Sequence, residues 1–217
     1  MAFQYACFVS YRHHDQSQIA ERFILDLCSA LRNELAMQLD EDIYVDRQRM
    51  QIGTTFNEAL ASALCRSVCM VMVYTPTYFS RQHLYCAREF KAMEGIEGSR
   101  LAHLSERDRR EHGLILPVVL RGMGSLPDEL RNRRHCYNFE RFSLTSRELA
   151  RNKAFEAEVR EMAEVIVQRK RLLDAVGTDM TCNCNQFTFP SEDHVRPWVD
   201  QLSKPRSTAA QLPFRGA

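Results

Sequence analysis

Residues able to do chemistry gather at three places, each directly behind a short apolar run. The first is SYRHHD (10–15), which follows the strand-like YACFVSY (5–11). Its Arg12 carries a planar fork of N–H donors suited to a diphosphate, though the same residue equally reads as a salt-bridged surface arginine. His13 and His14 are adjacent, so on regular backbone they diverge and make a poor metal pair. The second place is DRQRMQIG (46–53), behind IYV (43–45). The third is TPTYFSRQHLYCAREF (75–90), where Tyr85 and Glu89 stand four apart and share a helix face. A carboxylate at Glu89 would face the same cleft as Arg12; taken alone, it reads as a surface helix acid. Cys86 with His83 lacks the partnered base and exposed electropositive setting of a nucleophile, and a buried helix cysteine is the plainer reading.

Several chemistries lack their signatures. Neither GxGxxG nor GxxxxGK[ST] occurs, which weighs against dehydrogenase and P-loop readings. Cys182 and Cys184 are spaced too closely for a usual zinc pair and would need His194 and distant Cys136, so no metal is expected. No basic stripe is interleaved with aromatics, and RDRR (107–110) is too short to replace one; direct nucleic-acid binding is not expected.

These groups need a scaffold, and the chain is long enough to build one. It has 217 residues, 45% hydrophobic and 26% charged, with net charge +1, as expected of one soluble globular domain. No run reaches the 18 or so apolar residues of a membrane span, and MAFQYACFVS has no basic n-region with a long apolar stretch. A cytoplasmic location is therefore expected. Of eight cysteines, Cys7, Cys28, Cys65, Cys69 and Cys86 fall in periodic segments and read as small buried hydrophobes, so a disulfide framework is not expected.

Apolar runs alternate with helical patterns. Strands are expected at 5–11, 43–45, 67–75, 114–120 and 135–139. Helices are expected after Asp15, with Ile19, Phe23, Leu27, Leu31 and Leu35 as the buried stripe, after the Thr55–Glu58 capping box, around 82–95, and from about 146 to 174. Pro117 implies an interrupted strand or a strand end. The alternation predicts an α/β doubly wound fold with a five-stranded parallel sheet over residues 1–175. Residues 176–217, with four prolines and little periodicity, are expected as an irregular C-terminal extension. In such sheets ligands bind beyond the carboxyl ends of the strands, where all three groups lie.

In this order, YACFVSYRHHD (5–15), IYVDRQRMQIGTTFNEALASAL (43–64), VYTPTYFSRQHLYCAREF (73–90) and LILPVVL (114–120) resemble the motifs of a bacterial-type Toll/interleukin-1 receptor (TIR) domain. Tyr85 stands where many members have Trp, and Phe90 where many have Leu. The resemblance implies a flavodoxin-like three-layer fold. It also implies an NAD+ nucleosidase that cleaves the nicotinamide–ribose bond, with Glu89 as the essential catalytic carboxylate. Ser10, Tyr11, Arg12, His13, Asp46 and Tyr85 would then hold the substrate, and NAD+ would be consumed with no cofactor. Arg47, Arg49, Met50 and Gly53 would form the BB loop, through which copies assemble into a homo-oligomer or filament. An activating or effector protein of an anti-phage system would be a further partner, with no membrane involved. The alternative reading is a scaffold that acts through homotypic TIR–TIR contacts without turnover.

Overall fold

The computed structural model describes residues 3–13, 18–45, 56–102, 104–142, 149–177, 184 and 186–202. Five parallel strands form one sheet: β1 (Tyr5–Tyr11), β2 (Asp42–Val45), β3 (Ser67–Tyr74), β4 (Ile115–Val119) and β5 (Tyr137–Asn138). Their order is β2-β1-β3-β4-β5, the flavodoxin-like order. All eight residues of β3 are buried, because helices cover both faces of the sheet.

On one face lie α1 (Gln18–Leu35) and α6 (Lys153–Ala175), packed against each other. Phe23, Leu27, Leu31 and Leu35 of α1 are buried as their spacing predicts. Ile19 is not: it is 53% exposed, one turn before the helix meets its neighbours. The other face carries α2 (Phe56–Cys65) and α3 (Tyr85–Leu101). Two short helices, α4 (Glu106–Glu111) and α5 (Asp128–Arg133), interrupt stretches that read as polar connections. Ser105 caps α4 by accepting from the Asp108 amide, and Asn152 caps α6 by accepting from Ala154 and Phe155.

Pro117 sits in the middle of β4, opposite Met72, and the strand is not interrupted. The Leu120 amide donates toward β3, to Tyr74 O, so by alternation residue 117 faces the β5 side. The β5 ladder begins only at Val118, so the missing donor of Pro117 leaves no bond unmade.

Within 176–217 the expectation of irregular chain fails in one place. Glu192–Leu202 form a helix, α7, whose Val195 and Val199 are fully buried. It packs on the outer side of α3. Cys184 pairs with Cys65, the last residue of α2, in a disulfide that the helical periodicity around Cys65 does not announce. The pairing corrects the reading of Cys65 as a plain hydrophobe. No described helix is long and apolar enough to cross a membrane.

Candidate functional site

The chain leaves β1 toward β2 on one side of the sheet and returns as β3 on the other. This makes the carboxyl ends of β1 and β3 the topological switch point, the place where an open α/β sheet takes its ligands. Ser10 reaches it from β1. Alternation along the strand turns its side chain toward the α3 face, and its hydroxyl donates to Glu89 Oε2. Glu89, in the second turn of α3, is only 4% exposed.

Tyr78 completes the group. Thr75–Tyr78 form a turn after β3, closed by the Tyr78 amide on Thr75 O at 2.9 Å, with Pro76 at the second position where its fixed φ is favourable. The turn folds the tyrosine ring back under the sheet end, where it is fully buried and its hydroxyl meets Ser10 Oγ. Burial, then the proximity of Cys86 and Glu89, pushes the Tyr78 phenol well above its ordinary value, against the opposing pull of its bond to Ser10. Tyr78 therefore stays protonated and donates to Ser10, which donates to Glu89. The chain of hydroxyls thus runs toward the carboxylate, whose Oε2 accepts at its end.

Gly122 keeps the neighbouring loop close to this turn. Its φ of 84° suits glycine, and a Cβ there would stand 2.7 Å from the Pro76 ring. Arg12 lies at the lip, half-buried, with Nη1 donating to Thr77 O at 2.8 Å. Tyr85 opens α3 one turn before Glu89 and is 44% exposed, its ring beneath the Arg88 guanidinium at 5.4 Å.

The other expected residues divide. Tyr11 is buried on the opposite face of β1 from Ser10, its ring 4.5 Å from that of exposed His13. The structure thus brings Ser10 and Glu89 together, sets Arg12 and Tyr85 at the rim, and leaves Tyr11 behind the strand. Asp46, Arg47, Arg49, Met50 and Gly53 lie outside the described residues. Cys86 is buried, as its plainer reading holds. Cys184, weighed above as a zinc ligand, is held by Cys65.

Sequence reading missed Tyr78, although one signal was present: a hydroxyl-bearing aromatic closing a Thr-Pro-Thr turn directly after the central strand. Arg88 was missed as well. It is 8% exposed, and its Nε donates to Pro190 O at 2.6 Å. Nothing local in the sequence pairs residues 102 positions apart.

A family model for the TIR domain matches residues 7–155, from within β1 to the first residues of α6. The chain belongs to the TIR domain family. No curated protein matches it. In this TIR domain the matched span holds the whole Ser10–Tyr78–Glu89 group, while Cys184 and α7 lie beyond it.

Proposed function

We propose that the protein cleaves the bond between nicotinamide and ribose in NAD+. The supporting observation is the Glu89 carboxylate, shielded from water at the switch point and oriented by the Tyr78–Ser10 hydroxyl chain. As the C–N bond breaks, its electron pair passes to the ring nitrogen and the cationic pyridinium leaves as neutral nicotinamide, so no general acid is needed. Positive charge grows on the ribose. An ionised carboxylate against that sugar stabilises it, more strongly where water is excluded.

Arg12 at the lip suits the diphosphate, and Tyr85 offers an exposed ring for stacking. Water as acceptor gives ADP-ribose and one proton; a hydroxyl or adenine nitrogen of the same molecule gives a cyclic product. NAD+ is the substrate, and no cofactor enters. The family resemblance is also the ground for expecting assembly of copies through Arg47–Gly53 and a partner protein in anti-phage defence; a cytoplasmic setting is expected from the sequence itself.

Incubating purified protein with NAD+ and separating nicotinamide by chromatography tests the reading. Glu89→Gln keeps the shape and removes the charge, so turnover should fall by about 10²–10³-fold. The circular dichroism spectrum should be unchanged. Undiminished turnover in this variant overturns the assignment.

One observation favours a second reading, a scaffold acting by homotypic contacts: Glu89 is buried and already engaged by the chain's own Ser10. On that reading, concentrated wild type sediments as oligomers yet releases no nicotinamide.

A further inference from the structure

Residues beyond the family match grip α3 on both sides of Glu89. Successive helix residues point about 100° apart, so Arg88 and Phe90 flank the direction in which Glu89 faces Ser10. Arg88 is held by Pro190 O at 2.6 Å and lies over the Phe189 ring at 5.2 Å. Phe90 is stacked by the Trp198 indole, with ring centres 5.4 Å apart and planes 3° from parallel. A helix clamped at these two side chains cannot turn about its axis, and that rotation would swing Glu89 away from Ser10.

Trp198 reaches the site by a second route. Its edge meets Phe79 at 5.0 Å, Phe79 packs perpendicular to Tyr78 at 4.9 Å, and Tyr78 holds Ser10. The indole is itself fixed: Nε1 donates to Glu129 of α5 at 3.0 Å, and the Lys91 ammonium lies over its face at 4.2 Å. Arg81 pairs with Asp200 near the end of α7 at 3.0 Å. The segment's covalent attachment is the Cys65–Cys184 bond to the end of α2, with Cys65 fully buried and Cys184 9% exposed.

We propose that Cys184 and residues 186–202 form a positioning strap for Glu89, and that the Cys65–Cys184 disulfide is its redox-sensitive attachment. The proposal deepens the reading of Glu89 as the site carboxylate and rests on it. A dithiol supplies two electrons and two protons: the S–S bond opens to two thiols, and the dithiol closes to its own disulfide. Both cysteines are buried, Cys184 less than Cys65, so Cys184 is the more accessible of the two sulfurs to an attacking thiolate. Once Cys184 is released, the segment keeps its main-chain connection and its noncovalent contacts but loses its cross-link to α2, and α3 gains freedom at Glu89. Trp198 and Arg88 are positioning residues, acting on Glu89 through α3 and through Tyr78.

Hydrogen exchange on the full chain tests the strap without any need for turnover. Dithiothreitol on wild type, and separately Cys184→Ser and Trp198→Ala, should raise exchange of the amides at 85–93 by about tenfold, with β1 and β3 unmoved. Trp198→Phe should restore most of the protection. No rise at 85–93, or an equal rise across the sheet, overturns the proposal, the latter because it marks only a loss of global stability. Where wild type cleaves NAD+, Trp198→Ala should lower kcat about tenfold and leave KM within about twofold, since Arg12 and the strand ends are untouched. If wild type releases no nicotinamide, it is the proposed activity that fails, and exchange still decides the strap.

Discussion

Ser10 shows how much one hydroxyl can organise. It accepts from a buried phenol and donates to a buried carboxylate, so its removal leaves two polar groups short of a partner at once. Ser10→Ala should therefore destabilise the fold by about 2 kcal/mol, more than loss of an exposed hydroxyl would. Urea unfolding followed by circular dichroism measures it, and a midpoint equal to wild type would mean that the chain of hydroxyls contributes nothing. Ser10 was legible in the sequence because it stands at the end of a strand that the alternation of elements defines; Glu89 alone read as a surface helix acid, was singled out only by the family resemblance, and its burial was not foreseen. Tyr11 and Ser10 were not separable there: one step along a strand reverses the face, and both lie in the same strand-end patch. Tyr78 escaped because its role depends on a turn that returns the ring to the interior.

At the level of elements, α3 explains most of what the sequence withheld. The expected helix at 82–95 runs instead from Tyr85 to Leu101, and it is buried almost all round because the sheet lies on one side and α7 on the other. Its last turns read as polar, yet they carry buried bonds. Arg100 donates to Ser67 O, Val68 O and Cys65 O, capping the end of α2. Glu97 takes both nitrogens of Arg134 at 2.8 and 2.7 Å and also accepts from the Leu114 amide. With side chains only 12% and 13% exposed, this fork joins α3 to α5 and to the start of β4. Arg134→Ala should cost about 3 kcal/mol, because a carboxylate is left partly buried without its cation. Arg134→Lys should recover only part, since an ammonium cannot make the paired bonds. In urea unfolding, additive effects of Glu97→Ala and Arg134→Ala would refute the coupling. The α7 helix was illegible for a related reason. Pro197 lacks the N–H of an interior helix position, and tertiary contacts, burial of Val195 and Val199 among them, outweigh that.

For the molecule as a whole, alternation of apolar runs and helices was enough to give the layered parallel sheet. It was silent on which acids the core would enclose, because that depends on where chain segments meet. Two of them add to the loss of stability at high pH, alongside Tyr78 and Cys7, which burial also pushes well above their ordinary values. Burial raises the Tyr137 phenol of β5 to about 12, with the Glu161 carboxylate adding to the effect and Arg169 opposing it. Burial likewise raises the Cys69 thiol of β3 to about 12, against Arg169 and Arg100. In the unfolded chain these groups ionise near about 10 and about 8.5. Above those values the unfolded state has released protons that the folded state still holds. Their stabilising effect is thus complete below about pH 8.5 and is lost as pH rises toward 12. The urea midpoint should stay level from pH 7 to about pH 8, then fall through pH 9 to 11. Tyr137→Phe, which keeps the ring and removes the proton, should flatten the part of that fall above about pH 10. A midpoint that holds steady to pH 11 would mean these acids are not enclosed as the fold has them.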